Sequence, residues 1–151
     1  MNQLTILIVD DDKTTSSILN HMLKPYADVI VKASNGLEGC DLYKEYTPDI
    51  ILSDINMPQM NGLEMIEKIR KVDDDVKIAI FTDFENREIL LKAIELGVNQ
   101  FVSKPLSCIF TDIFECKSSK NFAVEEPKSN TFMPSFCSAK ISEITNFLTS
   151  S

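Results

Sequence analysis

The stretch Asp49-Ile-Ile-Leu-Ser-Asp-Ile-Asn-Met-Pro58 decides the fold. Ile50, Ile51 and Leu52 form an apolar run with β-branched residues, opened by Pro48. Such a run reads as a strand buried on both faces, as in a parallel sheet. Asp54 ends it, and Pro58 with Asn61-Gly62 marks the turn beyond. A carboxylate therefore falls where the strand gives way to a loop. In open α/β sheets that carboxyl edge is where ligands bind. Asp54 is the first candidate for chemistry.

Working outward, the same strand-then-helix reading repeats. Leu4 to Val9 is a strand ending in Asp10-Asp11-Asp12. Thr14 or Thr15 is expected to cap a helix that carries Ile18, Leu19, Met22 and Leu23 and stops at Pro25. Asp28 to Lys32 is a second strand. Asn35-Gly36 opens a helix with Leu37, Cys40, Leu42 and Tyr43. Gly62 to Arg70 is a helix with Leu63, Ile66 and Ile69 at helical spacing, and Val76 to Phe81 a fourth strand. Glu88 to Leu96 is a helix stopped by Gly97, and Val98 to Val102 a fifth strand, with a further helix from near Leu106. This alternation predicts an α/β fold: a doubly wound, five-stranded parallel sheet with helices on both faces. Five strands fit the flavodoxin-like order 2-1-3-4-5.

After Lys117 the pattern stops. Residues 118–151 are expected to form a polar linker or tail, with Ile141, Ile144, Phe147 and Leu148 spaced for a short terminal helix. Residues 1–117 form the domain proper.

The chain has 151 residues, enough for one domain that buries about 70% of its unfolded surface. Its net charge is −8, which argues against a nucleic-acid footprint, since that needs a basic face. Cys40, Cys108, Cys116 and Cys137 form no C-x-x-C pair, and one histidine completes no zinc set. They read as reduced thiols of a cytoplasmic protein. No basic, apolar leader opens the chain, and no run approaches the ~18 apolar residues of a membrane span. His21 reads as a structural or exposed residue of the first helix.

In this layout the ends of strands one, three, four and five bring together Asp10, Asp11, Asp54, Thr82 and Lys104. Crowded carboxylates repel one another, and a hard divalent ion such as Mg²⁺, which takes oxygen ligands, relieves that repulsion. Lys104 adds a fixed cation. The group is an anion-binding site with a carboxylate nucleophile at its centre, as phosphoryl transfer to Asp requires.

Ile6-Leu-Ile-Val-Asp-Asp11, Asp54-Ile-Asn-Met-Pro58 with Asn61-Gly62, Phe81-Thr82 and Phe101-Val-Ser-Lys-Pro105 together resemble the receiver domain of two-component response regulators, of the chemotaxis-receiver kind. Asn35-Gly36 and Ala93-Ile-Glu-Leu-Gly97 also look like family positions. The resemblance spans roughly residues 1–117. It implies that Asp54 accepts a phosphoryl group from a histidine kinase or phosphotransfer protein. It implies that Asp11, Asp54 and the backbone carbonyl of Asn56 bind Mg²⁺ directly, with Asp10 helping through a water. It implies that Lys104 contacts a phosphoryl oxygen, and that Thr82 swings onto the phosphate with Phe101 turning inward behind it. The readout is then the face of the fourth helix, fifth strand and fifth helix, where a partner or a second copy of the chain docks. No membrane or nucleic-acid partner is implied for this domain, and no enzymatic activity beyond self-catalysed phosphorylation and dephosphorylation of Asp54.

Asp83 departs from the family, where the residue after the switch threonine is usually small. Its bulk and charge predict slower transfer from small phosphodonors. The alternative function is a phosphorylation-independent pseudo-receiver, an interaction module only; the intact Asp10, Asp11, Asp54, Thr82 and Lys104 favour the switch. A metal-dependent phosphatase with an Asp nucleophile commonly needs an acid two residues on, where this chain has Asn56. A histidine phosphotransfer protein is a helical bundle, which five strands exclude.

Overall fold

The computed structural model describes residues 3–82 and 86–103, the side chains of Thr82 and Ser103 apart. Five strands make one sheet: β1 (Thr5–Val9), β2 (Val29–Ala33), β3 (Ile50–Asp54), β4 (Lys77–Thr82) and β5 (Gln100–Ser103). Neighbouring strands are parallel, in the order β2-β1-β3-β4-β5. This is the expected doubly wound arrangement. The described helices are α1 (Lys13–Leu23), α2 (Gly36–Tyr46), α3 (Gly62–Arg70) and α4 (Arg87–Glu95).

Both faces of the sheet are apolar because both are covered. Leu7, Val9, Ile51, Ile78 and Ile80 form one core with Leu63, Met65, Ile66 and Ile69 of α3 and Ala93 of α4. Cys40, Leu42 and Tyr43 of α2 pack against it. Successive strand residues face opposite sides, and the alternate set, Ile6, Ile8, Ile50, Leu52 and Phe81, is equally buried. Helix α1 packs on β1 and β2 and buries Ile18, Leu19 and Leu23 there. Double burial is why β1, β3 and β4 read as continuous apolar runs rather than alternating ones.

One expectation is corrected, and one surface was not foreseen. Helix α1 is capped by Asp12, not by Thr14 or Thr15: the Asp12 carboxylate accepts from the backbone N–H groups of Thr14 at 3.0 Å and Thr15 at 3.2 Å. An aspartate one residue before the helix reaches both orphan donors at once. Those bonds, with the Thr15 hydroxyl first among them, hold the Asp12 carboxyl below its ordinary range. In α2, Leu37 is 45% exposed and does not belong to the core. The buried face of α2 carries Gly36 and Gly39 instead. A Cβ on Gly39 would lie 3.3 Å from the Val9 side chain and closer still to the Met65 sulfur. The helix approaches the sheet through Gly39, while Gly36 lies against Met60 and Asn61 of the loop after β3, and Leu37 faces outward.

Element ends differ from the sequence reading by one or two residues, as helix and strand termini commonly do. The helix expected from near Leu106, the segment 118–151 with its terminal apolar stripe, Asp83, and Cys108, Cys116 and Cys137 lie outside the described residues. Cys40 is a free, half-buried thiol, whose pKa burial raises.

Candidate functional site

The run Asp10-Asp11-Asp12 divides its labour. Asp10 continues β1 by one bond, its N–H donating to the Ala33 carbonyl at 3.0 Å. Its side chain is 3% exposed, and its Oδ1 accepts from the Asp12 N–H at 2.8 Å. Asp11 is exposed. Asp12 turns away to cap α1. The turn closed by Asp10 thus separates two site carboxylates from a capping one.

Asp54 is the last residue of β3 and pairs in register with Phe81 of β4. It is 6% exposed. Its Oδ1 accepts from the Ile55 N–H at 2.7 Å, and the Ser53 hydroxyl donates to its carbonyl at 2.7 Å. One carboxylate oxygen each from Asp10, Asp11 and Asp54 lie within 4.8 Å of one another. Two of these three acids are buried, so their mutual repulsion is poorly screened. Three hard oxygen donors in this space fit a small divalent cation. That fit rests on the donor set.

The loop after Asp54 is held in place from several sides. Ile55 and Met60 are buried. Gly62 N–H donates to the Ile55 carbonyl at 2.9 Å, and Gly36 N–H to the Met60 carbonyl at 3.1 Å. Gln59 takes a left-handed φ of 67°. Asn61 and Glu64 form a capping box on α3, each side chain accepting from the other's N–H, at 2.9 and 3.1 Å. Gly62 lies against the site itself: a Cβ there would overlap the Asp54 carbonyl. Asn56 lies in this loop, exposed, two residues past the end of β3.

Thr82 ends β4 and pairs with Ser103 of β5, at the same carboxyl edge as Asp54. Its side chain, and Lys104 altogether, lie outside the described residues. Phe101 pairs with Ile80 and is half-buried against the main core. His21 is exposed on α1. The structure therefore brings Asp10, Asp11 and Asp54 together and sets the backbone of Thr82 at their edge. The support given by Gly62 and Ser53 was not anticipated. Asn61-Gly62 reads as a turn signal, but the close approach to Asp54 is a long-range contact that no local pattern carries.

A buried acid at the end of the central strand, beside an acidic turn after β1 on a 2-1-3-4-5 sheet, defines a class of signalling module. Residues 6–109 match the response regulator receiver domain, and the chain belongs to that family. Among its relatives is chemotaxis protein CheY of Thermotoga maritima, 37% identical over 101 residues that cover 66% of this chain and 84% of the relative. The regulator of RpoS from Escherichia coli is 34% identical over 80% of this chain, which spans 37% of that longer protein. Among solved structures, the N-terminal domain of an uncharacterized protein from Wolinella succinogenes is 31% identical, with a TM-score of 0.65 over 80% of this chain and all of that one. The domain is thus a two-component receiver, a signalling module that works as a phosphorylation-based switch. Among the described residues, no helix is long and apolar enough to cross a membrane.

Proposed function

We propose that Asp54 is the phosphoacceptor, charged by a histidine kinase or a phosphotransfer protein. The observation that supports this most is the meeting of Asp10, Asp11 and Asp54 within 4.8 Å at the end of the central strand. A carboxylate oxygen of Asp54 attacks the phosphorus of a phosphohistidine. The P–O bond forms as the P–N bond breaks, and the imidazole leaves with the bonding electrons. Asp11 and Asp54, with the backbone carbonyl of Asn56, would hold Mg²⁺, and Asp10 would support it through a water. The ion, when bound, neutralises charge on the phosphoryl oxygens. Lys104 supplies a second positive charge from its place after β5. The Thr82 hydroxyl then donates to a phosphoryl oxygen, and Phe101 moves into the space Thr82 leaves.

Phosphorylation adds roughly −1.5 to −2 charge and three acceptor oxygens. The changed surface is that of α4, β5 and the segment after Leu106 that the sequence predicts to be helical, where a partner or a second copy of the chain reads it. The receiver occupies residues 1–117, with residues 118–151 as a linker or tail, in a cytoplasmic protein. The acidic balance disfavours nucleic acid as that partner.

The reading is tested by incubating the protein with acetyl phosphate and Mg²⁺ and following intact mass. Wild type should gain one phosphoryl group, Asp54→Asn none, and Asp11→Asn markedly less at equal Mg²⁺. Labelling of Asp54→Asn equal to wild type would move the acceptor elsewhere. A wild type that neither labels nor shifts its amide spectrum with beryllofluoride would instead be an interaction module without the switch.

A further inference from the structure

The two ends of α4 are held very differently. Its carboxyl end is tied on three sides. The Arg70 guanidinium of α3 donates from Nε to the Leu96 carbonyl at 3.1 Å and from Nη2 to the Gly97 carbonyl at 3.0 Å. Its Nη1 also donates to the Asp73 carbonyl at 3.2 Å, so one side chain joins the α3–β4 turn to the α4–β5 turn. Gly97 takes a φ of 70°, which ends the helix and aims both carbonyls at the arginine. Asn99 N–H donates to the Ile78 carbonyl at 2.9 Å, and Ile78 N–H to the Asn99 side chain at 2.8 Å, fixing the same turn to β4. Ala93, fully buried, is the apolar anchor nearby.

Among the described residues, the amino end of α4 has fewer polar ties to other elements, and its hold on the main core is the half-buried Ile89. Asn86 caps it through bonds to its own next turn, from Glu88 N–H at 2.9 Å and Ile89 N–H at 3.3 Å. Arg87, Glu88 and Leu91 are exposed, and Ile89 and Leu90 are only half-buried. Among the described residues, the side-chain tie from α4 to another element is the exposed Lys92–Glu67 pair at 3.8 Å, again in the second half of the helix. Exposed pairs of this kind contribute little.

We propose that α4 pivots about its carboxyl end, and that Arg70 is the positioning residue that makes the pivot. A cation at a helix carboxyl terminus also meets the negative end of the helix dipole, so charge and hydrogen bonds act together. Movement that begins at the end of β4 then reaches the first turns of α4 as rotation about Leu96 and Gly97, not as displacement of the whole helix. The proposal rests on the reading of α4 as part of the switching surface only for its use in signalling. The pivot itself is a property of the unphosphorylated protein.

Native-state hydrogen exchange followed by NMR separates the two. In unphosphorylated wild type, amides of residues 90–92 should exchange at least about tenfold faster than those of residues 96–99, as local opening at a weakly held helix end allows. Arg70→Ala should erase that difference by speeding residues 96–99 about tenfold, consistent with losing bonds from a charged donor. Amides of β1 and β3 should keep their rates. Arg70→Lys, which keeps the charge without the fork, should fall between. Equal exchange along α4 in wild type, or an Arg70→Ala effect spread evenly over β1, β3 and α4, would overturn the pivot. Adding beryllofluoride and Mg²⁺ then reports on the switch: shifts in Asp54 neighbours without α4, alongside an intact exchange gradient, would remove the signalling role and leave the pivot standing.

Discussion

Gly62 shows how narrowly the site is built. Its N–H holds the loop by bonding Ile55, and its missing Cβ is what lets the chain pass the Asp54 carbonyl. A methyl group there meets backbone, which cannot rotate out of the way. Gly62→Ala should therefore cost at least about 2 kcal/mol, in the upper range of overpacking. It should also displace the loop that carries Asn56. Urea unfolding would measure the first effect, and Mg²⁺ titration by NMR the second. A variant with wild-type stability and wild-type Mg²⁺ shifts would mean that the close approach does not govern the site. Asp12 makes a related point. Three consecutive aspartates look alike in sequence, yet one is buried, one is exposed at the site, and one is a helix cap. Side-chain direction after a strand end decides which is which.

At the scale of elements, α2 is tied to the turn after α3 by one polar contact. The Tyr43 hydroxyl donates to Asp73 Oδ2 at 2.6 Å, while Asp73 Oδ1 accepts from the N–H groups of Asp75 at 2.8 Å and Val76 at 3.0 Å. Burial first, and then the bond to Asp73, push the Tyr43 pKa up to about 12. The Tyr43 hydroxyl is the main cause that holds the Asp73 carboxyl below its usual range. The signs follow by linkage. For Tyr43 the stabilisation is complete below the ordinary tyrosine pKa near 10 and is lost as pH rises toward about 12. For Asp73 it is complete above the ordinary carboxylate value of 3.8 and is lost as pH falls through its lowered native value. Tyr43→Phe should thus cost about 1 kcal/mol at neutral pH, with the difference from wild type shrinking in strong acid and above pH ~10. Urea midpoints across pH would show it. A difference that stays constant from acid to alkali would mean that the contact contributes packing alone.

At the scale of the molecule, one sheet edge gathers acids from two strands that are 44 residues apart in sequence, as with Asp10 and Asp54. Folding without a cation therefore works against charge repulsion. If these acids hold Mg²⁺ as proposed, the ion should raise stability by about 1.4 kcal/mol at ten times its dissociation constant, since only the folded chain gathers the three carboxylates. Asp11→Asn should fold more stably than wild type in EDTA and gain less from Mg²⁺ at the same concentration. Thermal unfolding in both conditions measures this. Equal gains in the two proteins would place the cation elsewhere.

Much of this architecture was legible in the sequence because it rests on local chemistry. Buried parallel strands need uninterrupted apolar runs, as at Ile50 to Leu52. Helix ends need specific residues, and Asn35, Asn61 and Gly97 mark theirs. Alternating strands and helices then leave few ways to wind, and the acids at strand ends fall on one edge of the sheet. The tertiary structure decided what depends on which surfaces meet. Leu37 is an apolar residue of α2, yet it is Gly39 that packs against Val9 and Met65, and Leu37 stays exposed. Thr14 and Thr15 are sound caps by type, but the turn closed by Asp10 delivers Asp12 to that place. The hold of Arg70 on the end of α4 joins residues 26 and 27 positions apart in the chain. Local propensity acts over a turn or two of chain, whereas packing and long hydrogen bonds act wherever the fold brings groups within a few ångströms. Only the fold could supply them.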